Sequence, residues 1–223
     1  RDIVTFYGVD ENKVCVAYPG HMPLLEATRQ DIDAALQKFG LSARRPFALH
    51  VGTLQPRKNL RRLLQAWTQL PSAMCDAQLV LAGGAGWGDE AAQLRRDAES
   101  LGLAQRVIFA GYISDLEKAA LMRAARLYVL PSLYEGFGFP VLEAQSAGVP
   151  VACACTSSLP EVAGDAALLF DPLKVDEMAG AIAQLMHDDA VRARLIDAGH
   201  ANLERFLWPA CAATILSAIV DNQ

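Results

Sequence analysis

Short unbroken apolar runs, each followed by a helical stretch, constrain this chain more than any other feature. Phe47–Val51 ends at Gly52, Gln78–Ala82 at Gly83-Gly84, Val107–Ala110 at Gly111 and Leu127–Leu130 at Pro131-Ser132. Val149–Ala152 and Ala167–Phe170 complete the series. Between them, helical spacing runs over Lys58–Leu70, Glu90–Leu101, Ser114–Ala125 and Pro140–Ala147. A strand with one wet face alternates apolar and polar residues, whereas a strand covered on both faces does not. Continuous runs alternating with helices therefore predict βα units. The expected fold is α/β: a Rossmann-like open parallel sheet with helices on both faces. Ligands bind such sheets beyond the carboxyl ends of the strands, which is where Gly52, Gly83, Gly111 and the loop around Gly136 fall.

The flanks are less regular. Residues 1–7 read as a helix tail stopped by Gly8, Val14–Tyr18 as a short strand, 26–39 as a helix stopped by Gly40, and helices fill most of 174–220. Ser114-x-x-Glu117 and Ser158-x-x-Glu161 both have the pattern of a capping box. No run of apolar residues is long enough to span a bilayer, and the N-terminus carries neither a signal-peptide core nor an initiator Met, so a fragment is expected.

Composition removes several function classes. Apolar residues make up 52% and charged residues 20%, too apolar for disorder. With 20 Lys+Arg against 25 Asp+Glu the net charge is −5, which argues against nucleic acid as a partner. The five cysteines (Cys15, Cys75, Cys153, Cys155 and Cys211) are scattered and form no CxxC, so a reducing cytosol is expected. Cys153 and Cys155 share one strand face in this reading and serve as core. His21, His50, His187 and His200 have no metal-type spacing, and His50 reads as a satisfied core residue. No metal site is predicted.

Two segments carry chemistry. Gly52-Thr53-Leu54-Gln55-Pro56-Arg57-Lys58-Asn59 joins the first strand to its helix. An anion there meets free backbone N–H groups, and Arg57 and Lys58 add full positive charge. Cations at a helix start oppose the macrodipole, so their placement points to a ligand such as a diphosphate. The second segment is Glu135-Gly136-Phe137-Gly138-Phe139-Pro140-Val141-Leu142-Glu143. Its glycines allow close backbone approach. Glu143, read in the first turn of the next helix, can accept two hydrogen bonds from a vicinal diol such as a ribose. A third stretch, Gly83-Gly84-Ala85-Gly86-Trp87-Gly88, is not G-x-G-x-x-G and reads equally as a mobile loop or a nucleotide contact.

In combination these residues resemble a known family. Glu135–Glu143, followed by Ala-x-x-Ala-Gly-x-Pro-Val over Ala144–Val151, resembles the donor-binding signature of the GT4-type retaining glycosyltransferases. Val51-Gly52-Thr53, Pro56–Asn59, Leu159–Val162 and Gly164–Pro172 resemble the same family, in the same order, and the first loop is similar to bacterial mannosyltransferase-like members.

The resemblance implies the C-terminal half of a GT-B fold. Residues 1–45 would be a remnant of the N-terminal domain with the crossover, and 46–205 the nucleotide-sugar-binding domain. Residues 206–223 would form a helix packing back on the missing domain. It implies transfer of a hexose, mannose from GDP-mannose among the candidates, from a nucleotide-diphosphate sugar to an acceptor hydroxyl with retention and no cofactor or metal. The setting would be polysaccharide or lipopolysaccharide biosynthesis, cytoplasmic or at the inner face of the membrane, with peripheral membrane association of the full-length protein. Arg57 and Lys58 would hold the diphosphate. Gly52 and Thr53 would line the same loop, Glu135, Gly136, Phe137, Gly138 and Phe139 would face the sugar and phosphates, and Glu143 would bind the ribose. Ile113 would meet the base through its backbone. A sugar or lipid-linked acceptor would sit on the missing domain, leaving this half inactive alone. Thr53 stands where many members have an arginine, which shifts neutralisation toward Arg57. A non-catalytic nucleotide-sugar-binding module and a sugar-nucleotide epimerase remain the alternatives.

Overall fold

The computed structural model describes residues 2–86 and 88–220. Trp87 of the glycine-rich stretch and residues 221–223 lie outside the described residues. The chain forms two compact units, Pro23–Asn202 and a smaller one combining Arg1–Met22 with Leu203–Gln223. In chain order the elements are α1 (Asp2–Tyr7), α2 (Arg29–Lys38), β1 (Phe47–Val51), α3 (Leu60–Thr68), β2 (Gln78–Ala82) and α4 (Glu90–Ser100). They continue with β3 (Val107–Gly111), α5 (Asp115–Ala124), β4 (Leu127–Leu130), α6 (Phe139–Ser146), β5 (Val151–Ala154) and α7 (Leu159–Ala163). β6 (Ala167–Phe170), α8 (Val175–His187), α9 (Asp189–Leu203) and α10 (Trp208–Val220) complete the chain.

The six strands pair in parallel in the order β3-β2-β1-β4-β5-β6. Winding runs outward from β1 on one side and from β4 on the other. Loops leaving β1 and β4 therefore diverge, and a crevice opens at the carboxyl ends of those two strands. Right-handed crossovers place α3 and α4 on one face and α5, α6 and α7 on the other, and α8, which follows the last strand, packs on α3. With both faces covered, every residue of β2, β4 and β5 is buried. This double burial is why the runs show no alternation.

Several boundaries differ from the sequence reading, each for a local reason. The helix expected from Lys58 begins at Leu60. Pro56–Lys58 forms a 3₁₀ turn, and Asn59 follows in the left-handed region at φ 59°. The Asn59 amide is tied to the Pro131 and Pro172 carbonyl oxygens at 3.1 and 2.8 Å, which holds the break. Arg57 and Lys58 thus stand on a turn and not at a helix start. The strand expected at Val149 begins at Val151, because Pro150 has no N–H for the ladder. The strand runs on to Ala154, so Cys153 lies within it and is buried, whereas Cys155 falls past its end and is exposed; the two do not share a core face. Glu143 lies in the second turn of α6, whose first turn contains no acid.

Ser114 and Glu117 form the expected capping box. Ser158 does not cap α7; its hydroxyl is used elsewhere, as described below. Residues 23–45, grouped by the sequence with the crossover, fold with the larger unit, where α2 packs on α5 and Lys38 pairs with Glu117.

In the smaller unit Val14–Tyr18 joins no strand ladder among the described residues. Tyr18 instead meets Phe206 edge-on at 5.5 Å, and the His21 amide donates to the Phe206 carbonyl at 2.9 Å. Phe6, Tyr7, Trp208, Leu216 and Ile219 of this unit are exposed. No single helix among the described residues is long and apolar enough to cross a membrane.

Candidate functional site

The loops after β1 and β4 bring three charged side chains together. Lys58 donates to Oε1 of Glu135 at 2.6 Å, and Arg57 Nη1 donates to Oε2 at 3.1 Å. Ser132 adds a second donor to Oε1, also at 2.6 Å. Glu135 is 9% exposed and Lys58 6%. The arginine is half open to solvent, and its Nη1 also donates to the Tyr134 carbonyl at 3.1 Å. Burial alone would raise the Glu135 carboxyl. Hydrogen bonds from Lys58 and Ser132, the Lys58 charge and the Arg57 contact together hold it below the usual carboxylate range. The cluster therefore carries one net positive charge.

Serines hold the loop that presents Glu135. The Ser157 hydroxyl accepts from the Glu135 amide at 3.0 Å. Ser158 is placed to donate to the carbonyls of Glu135 and Phe137 at 3.0 and 2.7 Å. Gly138 sits at φ 113°, and a Cβ there would come within 2.9 Å of the Leu159 side chain. Phe137 and Phe139 pack tilted at 4.7 Å, and Gly136 is open on its Cα side.

The glycine-rich stretch after β2 supports the β1 loop. A Cβ on Gly83 would lie 2.0 Å from the Gly52 carbonyl oxygen, and one on Gly86 2.4 Å from that of Leu54. The amides of Gly52 and Leu54 donate to the carbonyls of Ala82 and Gly84 at 2.8 and 3.0 Å. The two loops thus touch backbone to backbone, and Thr53 is left exposed at the tip.

A second ion pair joins α5 to α6. Lys118 of α5 donates to Oε1 of Glu143 at 2.8 Å. Ile113, buried, precedes the same helix. Tyr128 on β4 donates its hydroxyl to the Val51 carbonyl at 3.2 Å. Burial pushes that hydroxyl above its usual range, and the charges of Glu143 and Glu135 both push it further. Both carboxylates are therefore within electrostatic reach of one buried group.

Residues 31–201 match the family model described as glycosyl transferases group 1. The chain belongs to this family. It is 42% identical over 185 residues to O-antigen chain mannosyltransferase B of Escherichia coli, covering 82% of this chain and 48% of that protein. The chain thus spans about half the length of this curated relative. Among solved structures, the glycosyltransferase WaaG, involved in lipopolysaccharide biosynthesis, superposes with a TM-score of 0.79 at 22% identity, over 96% of this chain and 59% of that one. Anabaena HepE in complex with UDP-glucose superposes with a TM-score of 0.75 at 27% identity, over 86% and 54%. The open parallel sheet expected from the sequence is the one this chain has, and its structural neighbours have the GT-B fold.

Of the residues singled out by sequence, the structure joins Arg57, Lys58 and Glu135 directly and sets Gly52 and Thr53 on the adjoining loop. Glu143 pairs with Lys118 and not with either cation. His50 is only half satisfied: its Nδ1 meets the Val129 carbonyl at 3.0 Å, and its Nε2 has no partner among the described residues. The sequence reading missed Lys118, Ser132, Ser157 and Tyr128, and took Ser158 for a helix cap. Only Lys118 left a signal, as a lysine four residues past the Ser114 cap on the helix that follows β3.

Proposed function

We propose that this chain is the donor-binding half of a hexosyltransferase, holding a nucleotide-diphosphate sugar while the sugar passes to an acceptor hydroxyl with retention. One observation carries the reading: two cations and a buried carboxylate, net positive, lie at the reversal point of the sheet beside a loop with backbone amides. A departing nucleoside diphosphate develops charge, and preorganised cations stabilise it. In this reading Arg57, Lys58 and the amides of Gly52 and Thr53 take that role without a metal. Glu143, with Oε1 on Lys118, turns Oε2 to the ribose, Ile113 meets the base through its backbone, and Gly136–Phe139 lie along the sugar and phosphates.

The mannosyltransferase relative supports mannose as the hexose, and the HepE complex supports a nucleotide sugar as the donor class; GDP-mannose is the donor we propose from the two together. Glu135 is a poor nucleophile, since three donors occupy its carboxylate. Its proposed role is to orient the cations and sugar, and this favours departure and attack on one face over a double displacement. A sugar or lipid-linked acceptor belongs, in this proposal, to the portion of the relatives' length that this chain does not span. Its assembly work would be at the cytoplasmic face of the membrane. The 223-residue chain is then expected to bind the donor without transferring it.

Calorimetric titration with GDP, UDP and ADP tests the claim. At least one should bind with a Kd below about 1 mM; a folded sample that binds none of them sinks it. Glu143→Gln should weaken the best nucleoside diphosphate by about tenfold, through loss of a charged acceptor to the diol, and leave inorganic pyrophosphate unchanged. Equal weakening of both ligands contradicts the ribose assignment.

A further inference from the structure

His50, fully buried in β1, lies beneath the site just described and has no role in it so far. Its Nδ1 faces a carbonyl oxygen, which can only accept, so the proton sits on Nδ1 and Nε2 presents a lone pair. Burial, reinforced by the positive charge of Lys58, lowers the ring to about 4, so it stays neutral. The imidazole is stacked near Tyr128, with centroids 6.5 Å apart and planes 12° from parallel.

Leaving a buried acceptor unpaired is costly, and this one is aimed. A Cβ built on Gly52 would lie 3.4 Å from His50 Nε2, 3.3 Å from Lys58 Cε and 3.5 Å from Lys58 Nζ. Imidazole nitrogen and ammonium thus face one small space, kept open by the absence of a side chain at Gly52. An ammonium has three N–H donors. The Glu135 bond at 2.6 Å uses one of them.

We propose that His50 is a positioning residue for Lys58. When a diphosphate draws the ammonium toward the crevice, one N–H turns to His50 Nε2 and another reaches a phosphate oxygen. His50 touches no ligand in this scheme; it acts through the lysine. A neutral acceptor suits the task, because a second cation beneath Lys58 would repel it, and a carboxylate would compete with the phosphate. The inference rests on the diphosphate reading above.

The experiment is calorimetry with inorganic pyrophosphate on the 223-residue chain, comparing wild type, His50→Leu, His50→Gln, Lys58→Met and the His50→Leu/Lys58→Met double variant. His50→Leu should weaken binding about tenfold, or about 1.4 kcal/mol. His50→Gln, whose amide oxygen can still accept, should retain most of the affinity. In the Lys58→Met background His50→Leu should change nothing further, a coupling that a merely structural role would not produce. Unchanged affinity in His50→Leu overturns the proposal, as does an equal loss with and without Lys58. Where the Lys58→Met background binds too weakly to measure, the His50 Nε2 resonance of the wild type decides. It should move on adding pyrophosphate, and a static resonance overturns the proposal. A wild type that binds neither pyrophosphate nor any nucleoside diphosphate brings down the donor reading itself; a wild type that binds beside an indifferent His50→Leu brings down only this inference.

Discussion

Lys58→Met should cost the protein both its pyrophosphate affinity and the normal sign of its acid response. The wild-type carboxyl of Glu135 is held below its ordinary value, so its contribution to stability is complete above the unfolded-state value and fades as pH falls through the folded one. Removing Lys58 takes away its strongest hydrogen-bond donor and nearest charge. Burial, the largest influence on the group and a raising one, then faces only Ser132 and the half-exposed Arg57. The folded-state carboxyl should rise above the unfolded value. An acid shifted that way weakens the fold at neutral pH and ceases to do so once both states are protonated.

Breaking a buried ion pair from one side costs about 3–5 kcal/mol. Urea unfolding should show a loss of about 3 kcal/mol at pH 7 that shrinks toward pH 4. Adding Glu135→Gln should recover much of the stability, since it removes the stranded charge, but none of the binding. Affinity for pyrophosphate should fall by about a hundredfold or more in both variants. A Lys58→Met protein that unfolds like wild type at both pH values would show that the Glu135–Lys58 pair is not a buried unit.

What the sequence made legible divides along the same line as what is local. Strand runs could be read because double burial imprints unbroken apolarity on neighbouring residues. The Ser114–Glu117 cap could be read because donor and acceptor are three residues apart. Arg57 and Lys58 could be singled out by type, although the helix start used to argue for them is a 3₁₀ turn. Asn59 forces that turn through bonds to carbonyls 72 and 113 positions away, a link no local pattern contains. Lys58 finds Glu135 at a separation of 77, and Lys118 finds Glu143 at 25. Ser158 looked like a cap because its spacing to Glu161 was right, yet the carbonyls of the Glu135 loop claim its hydroxyl. The site residues were legible as chemistry; their pairing depended on which strands lie side by side.

The glycine-rich stretch shows the same limit most sharply, because sequence left it open between a mobile loop and a nucleotide contact. Neither describes its packing against the β1 loop. Gly83 adopts φ 148°, and a Cβ there would stand 2.0 Å from the Gly52 oxygen, 2.5 Å from its carbonyl carbon and 3.1 Å from the Thr53 nitrogen. All three are backbone atoms, so no side chain can swing aside. Relief requires the loops to separate, which breaks the 2.8 Å bond from the Gly52 amide to Ala82 and the 3.0 Å bond from the Leu54 amide to Gly84.

Gly83→Ala should therefore lose more than about 3 kcal/mol in urea unfolding, from combined strain and lost backbone bonds. Any folded fraction should bind pyrophosphate poorly, because Gly52 and Thr53 are displaced with the loop. Gly84→Ala is the matched control: a Cβ there meets nothing within 4 Å, and its stability and binding should match wild type. A loop that was merely mobile would absorb both substitutions alike. Equal tolerance of the two would mean that the close approach of Gly83 to Gly52 does not hold in solution, and the anion seat would then lack the support that positions its amides.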